Sequence, residues 1–180
     1  MLKGKKVYIR PLEVEDSKDM AVFQRDNRAF FEKFSMERGD EFYSEDTQRS
    51  RIKDFHEEML KDDGYYFGIF KQEDDQLAGT INLFQVLRGS LQGAFVGYFI
   101  DQKHNGHGFA TEAVELIVEY AFKELQLHRI EAGVMPRNIA SIRVLEKAGF
   151  HKEGIARKNV KINGKWEDHQ MLALINPEDE

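Results

Sequence analysis

The chain contains no cysteine. Disulfides, zinc–thiolate centres and thiol nucleophiles are thereby excluded, and a cytoplasmic location is expected. Proline is scarce, at three in 180 residues, and no Pro/Gly/Ser-rich tract or internal repeat divides the chain. A single domain over residues 1–180 is expected. No apolar run approaches the ~18 residues of a membrane span. The opening "MLKGKKVYIRPLE" places charges where a secretory leader needs an apolar stretch. Positive charge is also in deficit, with 26 Lys and Arg against 32 Asp and Glu, a net charge of −6. A general nucleic-acid binder is more often basic, so no direct nucleic-acid contact is expected. An acidic surface draws cationic partners such as amines and also serves solubility alone.

Phenylalanine, by contrast, is plentiful, with 14 copies. Some are expected to line a groove or a subunit contact rather than the core. Alternating residues in "KKVYIRPL" predict a first strand. Asp16 is a candidate N-cap for a helix over Ser17 to Asn27. "SEDTQRSRIKDFHEEMLKDDG" predicts a second helix that closes at Gly64. "YYFGIFK", "LAGTINLFQVL" and "GAFVGYFID" read as a meander of strands. A helix with Ala113, Val114, Ile117, Ala121 and Leu125 on one face follows. "HRIEAGVM" is the next strand. "NIASIRVLEKAGF" is a short helix with Asn138 as N-cap and Gly149 as C-cap. Asn163-Gly164 between two alternating runs predicts a terminal hairpin. The order is that of a mixed α/β sheet, not a regular βα repeat.

The most informative stretch is "NGHGFATEAVELIVEYAF", from Asn105 to Phe122. Glycine is a poor residue with which to start a helix. The first amides of a helix lack internal partners and lie at the positive end of its dipole. Glycines beside them clear the approach of a phosphate; a plain strand-to-helix turn would look the same. A Walker A loop fails, because "GHGFAT" lacks Gly-Lys-Ser/Thr. The dinucleotide fingerprint G-x-G-x-x-G finds Thr111 where its third glycine belongs, although Glu131 stands near the position of its acid.

"HNGHGFATEAV" resembles the acetyl-CoA pyrophosphate loop of the GNAT N-acetyltransferases, Q/R-x-x-G-x-G/A, with Asn105, Gly108 and Ala110 at the fixed positions. "VGYFID" resembles the splayed strand before that loop, and "MPRNIASIRVLEKAGF" the later strand-and-helix segment. "YIRPLEVED" is similar to the family's opening strand. "INGKWEDHQMLAL" resembles the closing hairpin of the RimJ/RimL-type ribosomal-protein N-terminal acetyltransferases. The resemblance implies a GNAT acyl-CoA N-acyltransferase fold, a twisted mixed sheet with helices on both faces. It implies acetyl transfer from acetyl-CoA, with no metal, to a primary amine. A protein N-terminus of the ribosomal-protein type comes first, and a polyamine or aminoglycoside second.

By the same resemblance, the backbone from Asn105 through Gly106, His107, Gly108 and Phe109 to Ala110 holds the pyrophosphate. Phe99 or Ile100 supplies an N–H toward the thioester carbonyl, and Gly97 is the candidate for a bulge in that strand. Asn138 contacts the CoA arm. Ser141 is the proton donor to the leaving thiolate, directly or through water, or else a helix-surface or capping serine. Lys147 and Arg143 are candidates for the CoA phosphates or for solvated helix charges. The family's frequent "AEIGY" glutamate is replaced by Phe95, so the general base is unassigned. Glu112 either acts as a base through water or complements the helix dipole. Asp168 divides between site polarity and an exposed strand charge. His104 and His107 are polar loop residues beside phosphate. Trp166, Phe30, Phe31 and Phe34 line an acceptor groove or pack in a core or a homodimer. Two other classes stay open: a non-catalytic acyl-CoA sensor, which Phe95 favours, and an NAD-dependent oxidoreductase.

Overall fold

A computed structural model describes residues 1–179. The alternating runs form an eight-stranded sheet ordered β1-β2-β3-β4-β5-β6-β8-β7. Its strands are β1 (Leu2–Lys3), β2 (Val7–Pro11), β3 (Tyr65–Lys71), β4 (Leu77–Leu87), β5 (Gly93–Ile100), β6 (Arg129–Val134), β7 (His151–Ile162) and β8 (Lys165–Ile175). The helices are α1 (Ser17–Asp26), α2 (Arg28–Phe31), α3 (Glu45–Leu60), α4 (Phe109–Lys123) and α5 (Ile139–Lys147). Every strand pairing is antiparallel except β5–β6.

Successive side chains of a strand face opposite sides, and the two apolar cores follow that alternation. Val7, Ile9, Phe67 and Ile69 pack with Ala113, Val114 and Ile117 of α4 on one face. Tyr8, Leu12 and Phe70 pack with Met20 and Phe23 of α1 and Ile52 of α3 on the other. The helices therefore flank both faces of a mixed sheet.

The parallel β5–β6 pairing joins only Gly93–Phe95 to Arg129–Glu131. Beyond it the two strands part, while β5 stays paired with β4 as far as Ile100. The ladder irregularity lies in β4, where Phe84 opposes Phe95 and Leu87 opposes Gly93. Gln85 there takes φ 50°. This corrects the expectation for Gly97, which pairs regularly with Asn82. A Cβ on Gly97 would lie 3.3 Å from both Asn82 Oδ1 and the Phe84 ring. The glycine makes room for its neighbours and carries no bulge.

Helix ends follow local chemistry. Asn138 Oδ1 accepts from the Ser141 amide at 3.3 Å. At the other end of α5, Gly149 donates to the Glu146 carbonyl and Phe150 to the Leu145 carbonyl. With Gly149 at φ 100°, this is a Schellman end. Asn163 and Gly164, at φ 52° and 80°, form the two-residue turn between β7 and β8. Asp16 does not cap α1; its carboxylate pairs with Arg10 at 2.8 Å and accepts from the Glu13 amide. α3 is capped by Ser44, which accepts from Thr47, and it ends at Leu60 rather than Gly64. Leu125 lies just beyond α4.

Candidate active site

The splay of β5 from β6 opens a cavity of ≈ 360 Å³. Its walls combine both faces of the sheet. Tyr98 and Ile100 share the strand face of the buried Val96, toward α4 and α5, while Phe99 points the other way onto Phe31, with ring centroids 4.9 Å apart. Phe30, Phe31 and Phe34 close the cavity on that second side. The opening thus connects the α4/α5 face to the α1/α2 face through the gap.

The loop at its mouth is tightly held. Asp101 donates its amide to the Ala78 carbonyl at 2.8 Å, and its carboxylate accepts from the Lys103 amide. Buried Asn27 ties the end of α1 to the same loop. Its Oδ1 accepts from the Gln102 amide at 2.8 Å, and its Nδ2 donates to the Phe23 carbonyl at 2.9 Å. Gly106 and Gly108 take φ 80° and 78°, a left-handed backbone that favours glycine. A Cβ on Gly106 would meet nothing within 4 Å. The first i→i−4 bond of α4 runs from the Glu112 amide to the Gly108 carbonyl. The amides of Phe109, Ala110 and Thr111 therefore have no acceptor within the helix. Such a loop suits a phosphate.

Of the expected residues, Phe99, Ile100, Asn105, Gly106, Gly108, Phe109, Ala110, Asn138, Ser141 and Lys147 line this one cavity. His107 does not line it; its carbonyl accepts from Lys6 Nζ at 2.8 Å, and its ring lies near that of Phe109. Arg143 is likewise outside the wall, as is Trp166, which is 55% exposed beside Lys161. His104 does line the cavity, with Nε2 buried and unpartnered. Burial pulls its imidazole below the ordinary range.

Between Phe99 and Ile100 the ladder decides. The Asp101 amide bonds to β4, so by antiparallel alternation the Phe99 amide does too, and the Ile100 amide faces the gap. Ile100 is the oxyanion candidate.

Both carboxylates weighed for the site serve the fold. Glu112 is consumed by structure: its oxygens accept from the amides of Lys5, Lys6 and Val7 at 2.7, 2.8 and 2.8 Å. Asp168 accepts from the Lys158 amide at 2.7 Å, which closes the irregular stretch of β7 between Ala156 and Val160. Phe95 stacks on Phe84, with centroids 5.7 Å apart. Among the described residues, no Asp or Glu lines the cavity, and no cluster of three or more His, Cys, Asp or Glu forms a metal site.

One residue escaped the sequence reading. Tyr98 Oη lies 2.6 Å from Ser141 Oγ and donates to the Ser141 carbonyl at 3.2 Å. Burial pushes this phenol up to about 12, against a lowering from Ser141. It stays protonated at neutral pH, and either hydroxyl can be the donor across the 2.6 Å contact. The strand alternation that places Tyr98 two residues before Ile100 was the available signal.

Residues 6–151 match the acetyltransferase (GNAT) domain family. The chain is 64% identical over 180 residues to the probable N-acetyltransferase YjcK of Bacillus subtilis (strain 168), covering 100% of this chain and 99% of that one. It is 30% identical over 173 residues to the [ribosomal protein uS5]-alanine N-acetyltransferase of Escherichia coli (strain K12), covering 96% and 89%. The structure of Mycobacterium smegmatis RimJ in complex with CoA-disulfide superposes with a TM-score of 0.90 at 27% identity, covering 96% and 83%. No described helix is long and apolar enough to cross a membrane. The glycine loop before α4, the splayed β5–β6 pair and these likenesses together place the chain in the GNAT family, as an N-acetyltransferase.

Proposed function

We propose that the protein transfers acetyl from acetyl-CoA to the N-terminal α-amine of a protein, of the ribosomal-protein class. The observation that carries the choice of amine is the cavity wall without a carboxylate. A cavity wall that offers no carboxylate to take a proton favours an acceptor that is already neutral. An α-amine titrates near 7.7–8.0 and a lysine-type amine near 10.4, so at pH 7 roughly 10²-fold more of the former is neutral. The E. coli relative, named for alanine acetylation on uS5, supports the same acceptor.

The residues divide the work by position. The amides of Phe109, Ala110 and Thr111 and the open glycines before them fit a pyrophosphate, and Lys147 adds a cation on the cavity wall. The Ile100 amide meets the charge that develops on the thioester oxygen. Ser141, held by Tyr98, gives a proton to the departing thiolate. The acceptor enters beside Phe30, Phe31 and Phe34, and its proton leaves to water, which returns one to Ser141. Holding donor and acceptor in line supplies much of the rate.

Acetyl-CoA at ~100 times its Kd is expected to stabilise the native state by about 2.7 kcal/mol, which raises Tm by roughly 5–10 °C for a chain of this size. NAD is expected to leave Tm unchanged; the reverse pattern would end the proposal. With acetyl-CoA saturating, CoA release should be faster with alanine-terminated peptides than with spermidine or an aminoglycoside. For the peptides, kcat/KM should rise with pH through the acceptor's own pKa, about 8, and then level off. A plateau reached near pH 6 would reveal a protein base. The same reading makes the enzyme cytoplasmic and homodimeric, with β7 leaving one edge of the sheet unpaired among the described residues. Sedimentation equilibrium that returned the monomer mass would refute the dimer.

A further inference from the structure

Glu112 draws the β1–β2 turn onto the first turn of α4 through the Lys5, Lys6 and Val7 amides. Gly4 permits this approach: a Cβ there would lie 2.5 Å from Glu112 Cδ. The turn so placed carries Lys6 to the glycine loop. Its Nζ donates to the His107 carbonyl at 2.8 Å and stands 3.4 Å from where a Cβ on Gly108 would be. An ammonium has three N–H donors, and that bond uses one. Lys71 and Lys103 pair with Asp74 and Asp101; Lys6 has no carboxylate partner among the described residues.

We propose that Lys6 is a donor-binding residue, a second partner, beside the loop amides, for the phosphate oxygens of acetyl-CoA. The inference rests on the reading of the glycine loop as a phosphate site. The amides and the helix dipole supply only partial charge, and the chain as a whole repels anions with its net −6. A compact ammonium at the loop offsets that repulsion where the ligand is most negative. Because Lys6 reaches the loop from the β1–β2 turn, 101 positions away, the motif that marks the loop does not include it.

The test compares wild type, Lys6→Met and Lys6→Arg with three donors: acetyl-CoA, acetyl-3′-dephospho-CoA and S-acetylpantetheine. Lys6→Met is expected to lower kcat/KM about 5- to 20-fold for acetyl-CoA, the scale of an exposed charge-assisted hydrogen bond. The dephospho donor should lose as much, S-acetylpantetheine nothing, and Lys6→Arg should recover most of the loss. The acetyl-CoA rate of the methionine variant should also depend less on salt than that of wild type. An equal loss with S-acetylpantetheine would mean that Lys6 merely props the loop, and no loss with acetyl-CoA would remove its role. A wild-type enzyme that used acetyl-CoA and S-acetylpantetheine equally well would remove the phosphate site itself, and the Lys6 role with it.

Discussion

Ser141→Ala is expected to lower kcat about 10²-fold, the scale of general acid catalysis, with KM for acetyl-CoA and Tm nearly unchanged. The hydroxyl lies on the cavity wall, and Tyr98 Oη is 2.6 Å away. Removing it leaves Tyr98 the carbonyl of residue 141 as acceptor, at 3.2 Å, so no buried polar group is stranded. Tyr98→Phe removes the hydroxyl that orients Ser141 and should cost about tenfold, because the serine keeps its own proton but loses its fixed direction. The two residues act as one unit, so the double variant should be little worse than Ser141→Ala alone. Independent roles would instead multiply the two losses. A Ser141→Ala enzyme at full kcat would assign the thiolate's proton to another source. Steady-state kinetics with saturating donor decide between these outcomes.

Glu112→Ala should act on stability rather than on chemistry. It deletes the acceptor of three backbone amides in a partly exposed site. Discounted for solvent, the loss is about 2–3 kcal/mol, or roughly 4–12 °C in Tm. Donor KM should rise, because Lys6 loses its anchor, while kcat at a temperature well below Tm should hold. A general base at this position would give the opposite pattern, with kcat collapsing and Tm preserved. Differential scanning calorimetry beside single-temperature kinetics separates the two. Glu112→Gln returns one acceptor oxygen and should recover part of the lost Tm.

The contrast between these two predictions shows what the sequence conveys. Local chemistry was legible. Gly106 and Gly108 marked the turn into α4, Asn138 a cap, Gly149 a helix end and Asn163-Gly164 a tight hairpin, because each depends on neighbours within a few positions. Most of the cavity wall was expected from the resemblance of that loop and of α5 to the GNAT family. Contacts across long separations were not legible. The Tyr98–Ser141 pair spans 43 positions, and Glu112 meets amides 105 to 107 positions away; no pattern within either segment encodes the other. Gly97 shows the same limit: a glycine in a strand serves a bulge or a crowded neighbour equally, and only the Phe84 ring decides. β1 and α2 are too short to display a period.

The phenylalanine surplus resolved partway. Phe30, Phe31 and Phe34 meet the cavity, whereas Phe95 and Phe84 stack beside the splay. That stack puts no carboxylate at position 95, in keeping with the proposed reliance on an acceptor amine that is already neutral.

The most direct test offers the enzyme one acceptor with both kinds of amine: an alanine-terminated peptide that also contains an internal lysine. After incubation with acetyl-CoA at pH 7, tandem mass spectrometry locates the acetyl group. A single acetyl on the alanine α-amine and none on the lysine is the expected result. Acetylation of the lysine side chain, or a peptide left unmodified while spermidine is acetylated, would contradict it.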